Sequence, residues 1–193
     1  RLDEQKNPLD LIRTAAIVVK AYPGVQFLLV GDGPLRPECE QLIKSLDLEK
    51  EVFLLGYRDD VPSILSILDL TVMSSLWEGL PIVFLEAMAA GKPIVANNVD
   101  GARDVVVDGE TGYLVQPRQP SEMAERVLAL LRDETLRHDM GLVGQERSRS
   151  FSIERMVGSL ESLYRELYCA AQPCSPRLVE DDRPVIFQNL RAT

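Results

Sequence analysis

The chain has 193 residues, 46% of them hydrophobic and 26% charged, which is enough apolar content for the full core of one ordinary domain. Its net charge of −9 argues against a nucleic-acid surface, since binding a polyanion needs a basic stripe that releases counterions. No apolar run reaches the ~20 residues that a membrane helix requires, and the opening RLDEQKNPLD has no signal-peptide character, so a cytoplasmic location is expected. Cys39, Cys169 and Cys174 are odd in number and lack C-x-x-C spacing, which speaks against zinc, iron–sulfur or a disulfide framework and fits a reducing compartment. The lone His138 sits in the charged run LRHDM and reads as a solvated helix residue.

In chain order, Asn7-Pro8 followed by LDLIRTAAIVVKAYP predicts a helix that stops at Tyr22-Pro23-Gly24. The apolar run Val25 to Val30 then reads as a buried parallel strand. It leads into the turn Gly31-Asp32-Gly33-Pro34, where Arg36 takes the third glycine position of G-x-G-x-x-G and leaves a dinucleotide fingerprint incomplete. RPECEQLIKSLDL is helical, Val52 to Gly56 a strand, VPSILSILD helical and Leu70 to Ser75 a strand. Beyond the strand PIVA come a short helix from Ala102 to Val107, the turn Asp108 to Gly112 and a last strand from Tyr113 to Val115. From there the chain is helical, with Ser121 as a cap, then Glu134 to Ser150 and Ile153 to Tyr168. Strands alternating with helices at this spacing predict an α/β fold, a Rossmann-like doubly wound parallel sheet with ligands outside the carboxyl ends of its strands. Residues 1–168 form that domain. Residues 169–193, with Pro173, Pro176, Pro184 and an acidic cluster from Glu180 to Asp182, read as a loosely packed tail in which only Val185-Ile186-Phe187 is strand-like.

The densest stretch runs from Ser74 to Ala96, SSLWEGLPIVFLEAMAAGKPIVA, with seven residues between Glu78 and Glu86. Glu78 falls on an exposed loop, and a helix can begin at Pro81, whose missing N–H suits a first helical position. That helix is apolar nearly all round and so predicted to be buried on most sides, which leaves Glu86 as a carboxylate in need of donors. Gly79 lets the backbone approach a bound group. The amides of Gly79, Leu80, Ile82 and Val83 near the helix start favour an anion. An anion beside two carboxylates suggests a ligand carrying both phosphate and hydroxyl groups.

EGLPIVFLEAMAAGKPIVA resembles the E-x7-E signature of family 4 (group 1) retaining glycosyltransferases, and the likeness runs from Arg1 to about Tyr168. The resemblance implies the C-terminal, donor-binding half of a GT-B glycosyltransferase. It implies transfer of a sugar, with retention, from a nucleoside diphosphate sugar to an acceptor hydroxyl, without metal or other cofactor. Glu78 would lie by the donor sugar and Glu86 would accept from the ribose hydroxyls. Arg1 and Lys6 match the R-L-x-x-x-K segment that faces the diphosphate, where a guanidinium and an ammonium can do what a metal otherwise does for the departing group. Gly31 and Gly33 are either a tight turn beside the ligand or direct binders. Tyr57 and Arg58 either border the nucleotide base or form an exposed turn. Trp77 reads as core or loop packing before a sugar platform. In place of the family's Gly-Gly-x-x-Glu the chain has Asp100-Gly101-Ala102-Arg103-Asp104, which puts that acid's donor contact in doubt.

Family members also have a central strand running into the equivalent of Arg1-Leu2. The expectation is therefore a chain cut inside its own domain, lacking its first strand and its acceptor half, with Pro184 to Leu190 as a substitute strand in the alternative. Any membrane association would come through the missing half, and isolated activity should be slight. Two other functions stay open: a non-catalytic partner or regulatory domain of the same fold, and a dinucleotide-binding oxidoreductase domain.

Overall fold

The computed structural model describes residues 1–171, which divide into two units, residues 1–152 and the segment from Ile153 onward. In the first unit, helices α1 (Pro8–Ala21), α2 (Arg36–Ser45), α3 (Val61–Ile67), α4 (Ile82–Ala89), α5 (Asp100–Val105), α6 (Pro120–Arg132) and α7 (Glu134–Ser148) alternate with or follow strands β1 (Phe27–Val30), β2 (Val52–Gly56), β3 (Thr71–Met73), β4 (Ile94–Asn97) and β5 (Gly112–Val115). In the second unit, Ile153–Ala171 forms a single helix, α8, which carries the predicted helix three residues past Tyr168. The strand-like Val185-Ile186-Phe187, the alternative substitute strand to Leu190 and Cys174 lie outside the described residues.

All pairings between named strands are parallel, as expected, but they form two sheets: β1 with β2, and β3-β4-β5. Helices cover both faces. β4 shows why its sequence is a continuous apolar run: Val95 points into one core cluster with Ile12, Val18, Leu29 and Val127, while Ile94 and Ala96 point into the other with Phe84, Met88 and Val105. Alternate residues of a strand face opposite sides, so a strand packed on both must be apolar throughout.

α1 begins at Pro8 as expected, while some other helix starts differ from the expectation for local reasons. Asn7 precedes α1 in a left-handed conformation and gives its side-chain amide to Asp10 Oδ2 at 2.7 Å. Ser121 lies inside α6 and caps nothing, because Pro120 already occupies the first turn and Gln119 the cap. Pro81 is the cap of α4 and not its first residue; its carbonyl accepts from the Phe84 amide at 2.9 Å.

Candidate functional site

The carboxyl ends of β1, β3 and β4 meet under the segment Arg1 to Asn7. Beyond β1, the Leu2 amide donates to the Asp32 carbonyl at 3.0 Å and the Leu35 amide to the Leu2 carbonyl at 2.9 Å. This contact decides what the glycines do. A Cβ on Gly33 would fall 2.4 Å from the Leu2 carbonyl oxygen, and one on Gly31, where φ is +122°, would fall 3.0 Å from the Arg1 nitrogen. Both glycines let the first residues lie against the loop, which supports the tight-turn alternative.

Beyond β3, the Ser74 hydroxyl is shared between the carbonyls of Lys6 and Asn7, at 3.0 and 2.8 Å, and the Leu76 amide donates to the Gln5 carbonyl at 2.8 Å. Asn97, the last residue of β4, is buried and donates its side-chain amide to the carbonyls of Ser74 and Ser75 at 2.8 and 3.1 Å. Three strand ends are thereby clamped together, and the sequence reading found neither Ser74 nor Asn97. Only the position of Asn97, a polar residue closing an apolar strand, could have signalled it.

Glu78 is the focus of this frame. Its side chain is 7% exposed, less than a loop acid should be, and Lys6 Nζ lies 2.5 Å from its Oε1. The sequence places the two 72 residues apart, and the fold forms a part-buried ion pair from them. The backbone behind Glu78 is fixed as well: its carbonyl accepts from the Gly101 amide at 3.2 Å, and a Cβ on Gly101 would sit 1.7 Å from the Gly79 carbonyl oxygen. Glycine is therefore required at position 101 by packing against the Glu78 loop.

Glu86 corrects the expectation of a carboxylate enclosed in a buried helix. Phe84, Ala87 and Met88 are buried, but Glu86 is exposed where α4 borders a cleft of about 420 Å³, and Ile82 is exposed outside that cleft. Glu86, Val83, Lys6 and Arg1 line the cleft together. Arg1 is held by Asp3 at 3.3 Å and Gln5 at 2.8 Å with most of its side chain in solvent. The amides of Ile82 and Val83 open α4, where the first turn has no intrahelical acceptors. Glu78 faces a second hollow, of about 220 Å³, with Trp77, Asn98, Asp100 and Arg103. Trp77 is an exposed loop residue, not a core one.

The remaining predicted residues stand apart. Gly79 and Leu80 are on the exposed loop before α4 and line neither hollow. Tyr57 is 83% exposed after β2, and Arg58 is engaged by both oxygens of Asp60 at 2.7 Å, so neither reaches the cleft. The Arg58 guanidinium, through its hydrogen bonds, holds the Asp60 carboxyl below its ordinary range. Arg36, at the start of α2, pairs with Glu40 and Asp32, which fills the place where a third glycine would admit a dinucleotide. Among the described residues no group of three His, Cys, Asp or Glu side chains could hold a metal ion, and no helix is long and apolar enough to cross a membrane.

A family profile described as "Glycosyl transferases group 1" matches residues 1–147. The chain belongs to the group 1 glycosyl transferases. It is 35% identical over 167 residues to N-acetyl-alpha-D-glucosaminyl L-malate synthase of Bacillus anthracis, covering 84% of this chain and 42% of that protein. It is 34% identical over 170 residues to alpha-D-kanosaminyltransferase of Streptomyces kanamyceticus, covering 86% and 44%. Among solved structures, S. aureus TarM with UDP bound superposes at a TM-score of 0.81 with 29% identity, over 85% of this chain and 34% of that one. The C-terminal domain of the group 1 protein LpcC from Francisella tularensis superposes at 0.74 with 27% identity, over 79% of this chain and 83% of that domain. The chain thus spans less than half the length of the curated relatives it matches and most of an isolated C-terminal domain. Its group 1 relatives and neighbours give it a GT-B C-terminal fold.

Proposed function

We propose that residues 1–152 are the donor-binding half of a retaining, metal-independent family 4 glycosyltransferase. The reading rests most heavily on the part-buried Lys6–Glu78 pair, which sits between a cleft holding Arg1, Lys6 and Glu86 and a smaller hollow holding Glu78. Two cations over a helix start suit a diphosphate. Two carboxylates on either side suit hydroxyl groups. When a donor enters, Arg1 and Lys6 take the diphosphate oxygens, Glu86 accepts from the ribose hydroxyls, and Glu78, released from Lys6, accepts from a sugar hydroxyl. The bond between the anomeric carbon and the diphosphate oxygen breaks with its electron pair leaving on the diphosphate. The acceptor oxygen then bonds to that carbon in the original configuration, and its proton passes to the departing diphosphate oxygen. The two cations stabilise the charge that develops on the leaving group.

Because TarM and Anabaena HepE were solved with UDP, UDP and UDP-glucose are the first ligands to titrate, with GDP and ADP conjugates beside them. Calorimetric titration should give saturable binding of at least one nucleoside diphosphate and tighter binding of its sugar conjugate. Complete absence of nucleotide binding would instead favour a non-catalytic domain of the same fold.

A further inference from the structure

The loop between β3 and α4 carries Glu78, and its ties to the rest of the domain can be followed one by one. Its start is joined to the segment Arg1 to Asn7 by the Leu76 amide, which donates to the Gln5 carbonyl at 2.8 Å, and by Gln5 Nε2, which donates to the Trp77 carbonyl at 3.0 Å. Glu78 is held by Lys6 and, through its own carbonyl, by the Gly101 amide at 3.2 Å. Past Glu78 the loop is open, since a Cβ on Gly79 would meet no atom within 4 Å. On the donor reading proposed above, the Lys6 bond is the one that gives way: a donor draws Lys6 to its diphosphate and leaves Glu78 to the sugar. Another link then has to keep the carboxylate where it is.

Gln5 has the chemistry for that link. It lies in a turn closed by the Asn7 amide on the Asp3 carbonyl and the Lys6 amide on Asp3 Oδ1, both at 3.0 Å. Ser74 anchors the same turn to the end of β3 through the carbonyls of Lys6 and Asn7. The side-chain amide of Gln5 has opposite partners at its two ends. The Trp77 carbonyl can only accept, and the Arg1 guanidinium, 2.8 Å from Gln5 Oε1, can only donate. A carboxylate at position 5 would repel the carbonyl and an ammonium would repel Arg1, whereas a glutamine satisfies both. The Trp77 contact involves neither Glu78 nor the Lys6 ammonium, so it survives when their ion pair opens.

We propose that Gln5 is a positioning residue for the sugar: it holds the Trp77–Glu78 loop against residues 1–7 independently of the Lys6–Glu78 bond, so that Glu78 stays in place when Lys6 turns to a diphosphate. The role at the sugar rests on the donor reading. The link itself does not.

Trp77 is the single tryptophan of the chain, so its time-resolved fluorescence anisotropy reports on this loop. The first test uses the 193-residue chain without ligand, as Gln5→Met, Glu78→Ala and the two combined. Glu78→Ala cuts the ion pair and leaves unpaired only Lys6, its more exposed member; Lys6→Met cuts it from the other side should that variant not fold. Each single variant should keep the slow depolarisation of the whole domain, and the double variant should gain a fast nanosecond component. A double variant as slow as wild type overturns the proposal, and so does a Glu78→Ala variant as mobile as the double. The second test titrates UDP and UDP-glucose. Gln5→Met should lower the ratio of conjugate to UDP affinity by about three- to tenfold, the worth of one hydrogen bond. Gln5→Glu, which keeps an acceptor for Arg1 but has no donor for Trp77, should lower it likewise. An unchanged ratio in Gln5→Met overturns the role at the sugar, as does a ratio lost in Gln5→Met but kept in Gln5→Glu, which would route the effect through Arg1. If the wild-type chain binds neither ligand, the donor reading fails, and the anisotropy cycle still decides whether Gln5 holds the loop.

Discussion

Lys6 and Glu78 form the pair on which the site turns, and its burial makes it sensitive to the loss of either member. Lys6→Ala would leave a carboxylate with 7% exposure uncompensated. Breaking a buried pair costs about 3–5 kcal/mol, and the 22% exposure of Lys6 should bring this toward about 1–3 kcal/mol. The paired change of Lys6→Met with Glu78→Leu should recover much of that loss, as read from urea midpoints. Ligand roles can be separated with milder changes. Glu86→Gln should weaken UDP and its sugar conjugate alike, whereas Glu78→Gln should weaken only the conjugate; equal losses on both ligands in both variants would remove that division of labour. Asn97→Ala should cost about 1–3 kcal/mol, because it deprives two buried carbonyls of their donor. It should also loosen donor binding through the Ser74 clamp. Cys39 offers a control far from the site: burial first, then Glu38 and Glu40, push its thiol up to about 11. At neutral pH it should resist iodoacetamide until the chain unfolds, while the exposed Cys169 is labelled, as mass spectrometry of the alkylated protein would show.

At the scale of the element, α4 and α5 show what residue patterns convey and what they leave out. The strands were legible because VQFLLV, VFLLG and PIVA are short apolar runs between turn residues, and β4 is buried at every position. The exposed face of α4 was not, since a nearly all-apolar helix sequence does not say which of its residues the fold leaves uncovered; Ile82 is exposed and Phe84 buried only through the way the helix is rotated. The Lys6–Glu78 pair was likewise illegible from spacing, because it depends on two strand ends converging. The E-x7-E register nevertheless pointed at both carboxylates. Gly101 tests the α5 packing directly. Gly101→Ala forces a methyl into the Gly79 carbonyl, so α5 and the Glu78 loop must separate, at a cost of about 1–3 kcal/mol. The loss should appear more strongly in affinity for the sugar conjugate than for UDP, since the loop that moves carries Glu78. An unchanged ratio of the two affinities would mean that the loop's position does not matter to the sugar.

At the scale of the molecule, the break between the two sheets could not be read from the sequence, since hydrophobic periodicity identifies strands but not their neighbours. The donor reading makes two predictions for the chain as a whole. The first is that EDTA leaves the donor isotherm unchanged, because Arg1 and Lys6 supply the positive charge at the diphosphate; a loss of affinity restored by magnesium would reject it. The second concerns transfer. Holding two reactants in the reactive geometry can contribute roughly 7–11 kcal/mol of barrier reduction. On that reading every candidate group would serve the donor: two cations the diphosphate, Glu86 the ribose and Glu78 the sugar. An acceptor hydroxyl must be held against the anomeric carbon from the open side of the cleft, with water excluded, and the chain spans less than half the length of its curated relatives. Isolated 1–193 is therefore expected to bind a donor weakly and to transfer almost nothing, with transfer returning only when a complete acceptor domain is joined to it. Multiple-turnover transfer by the purified 193-residue chain, abolished by Glu78→Gln, would show that the domain needs no such partner.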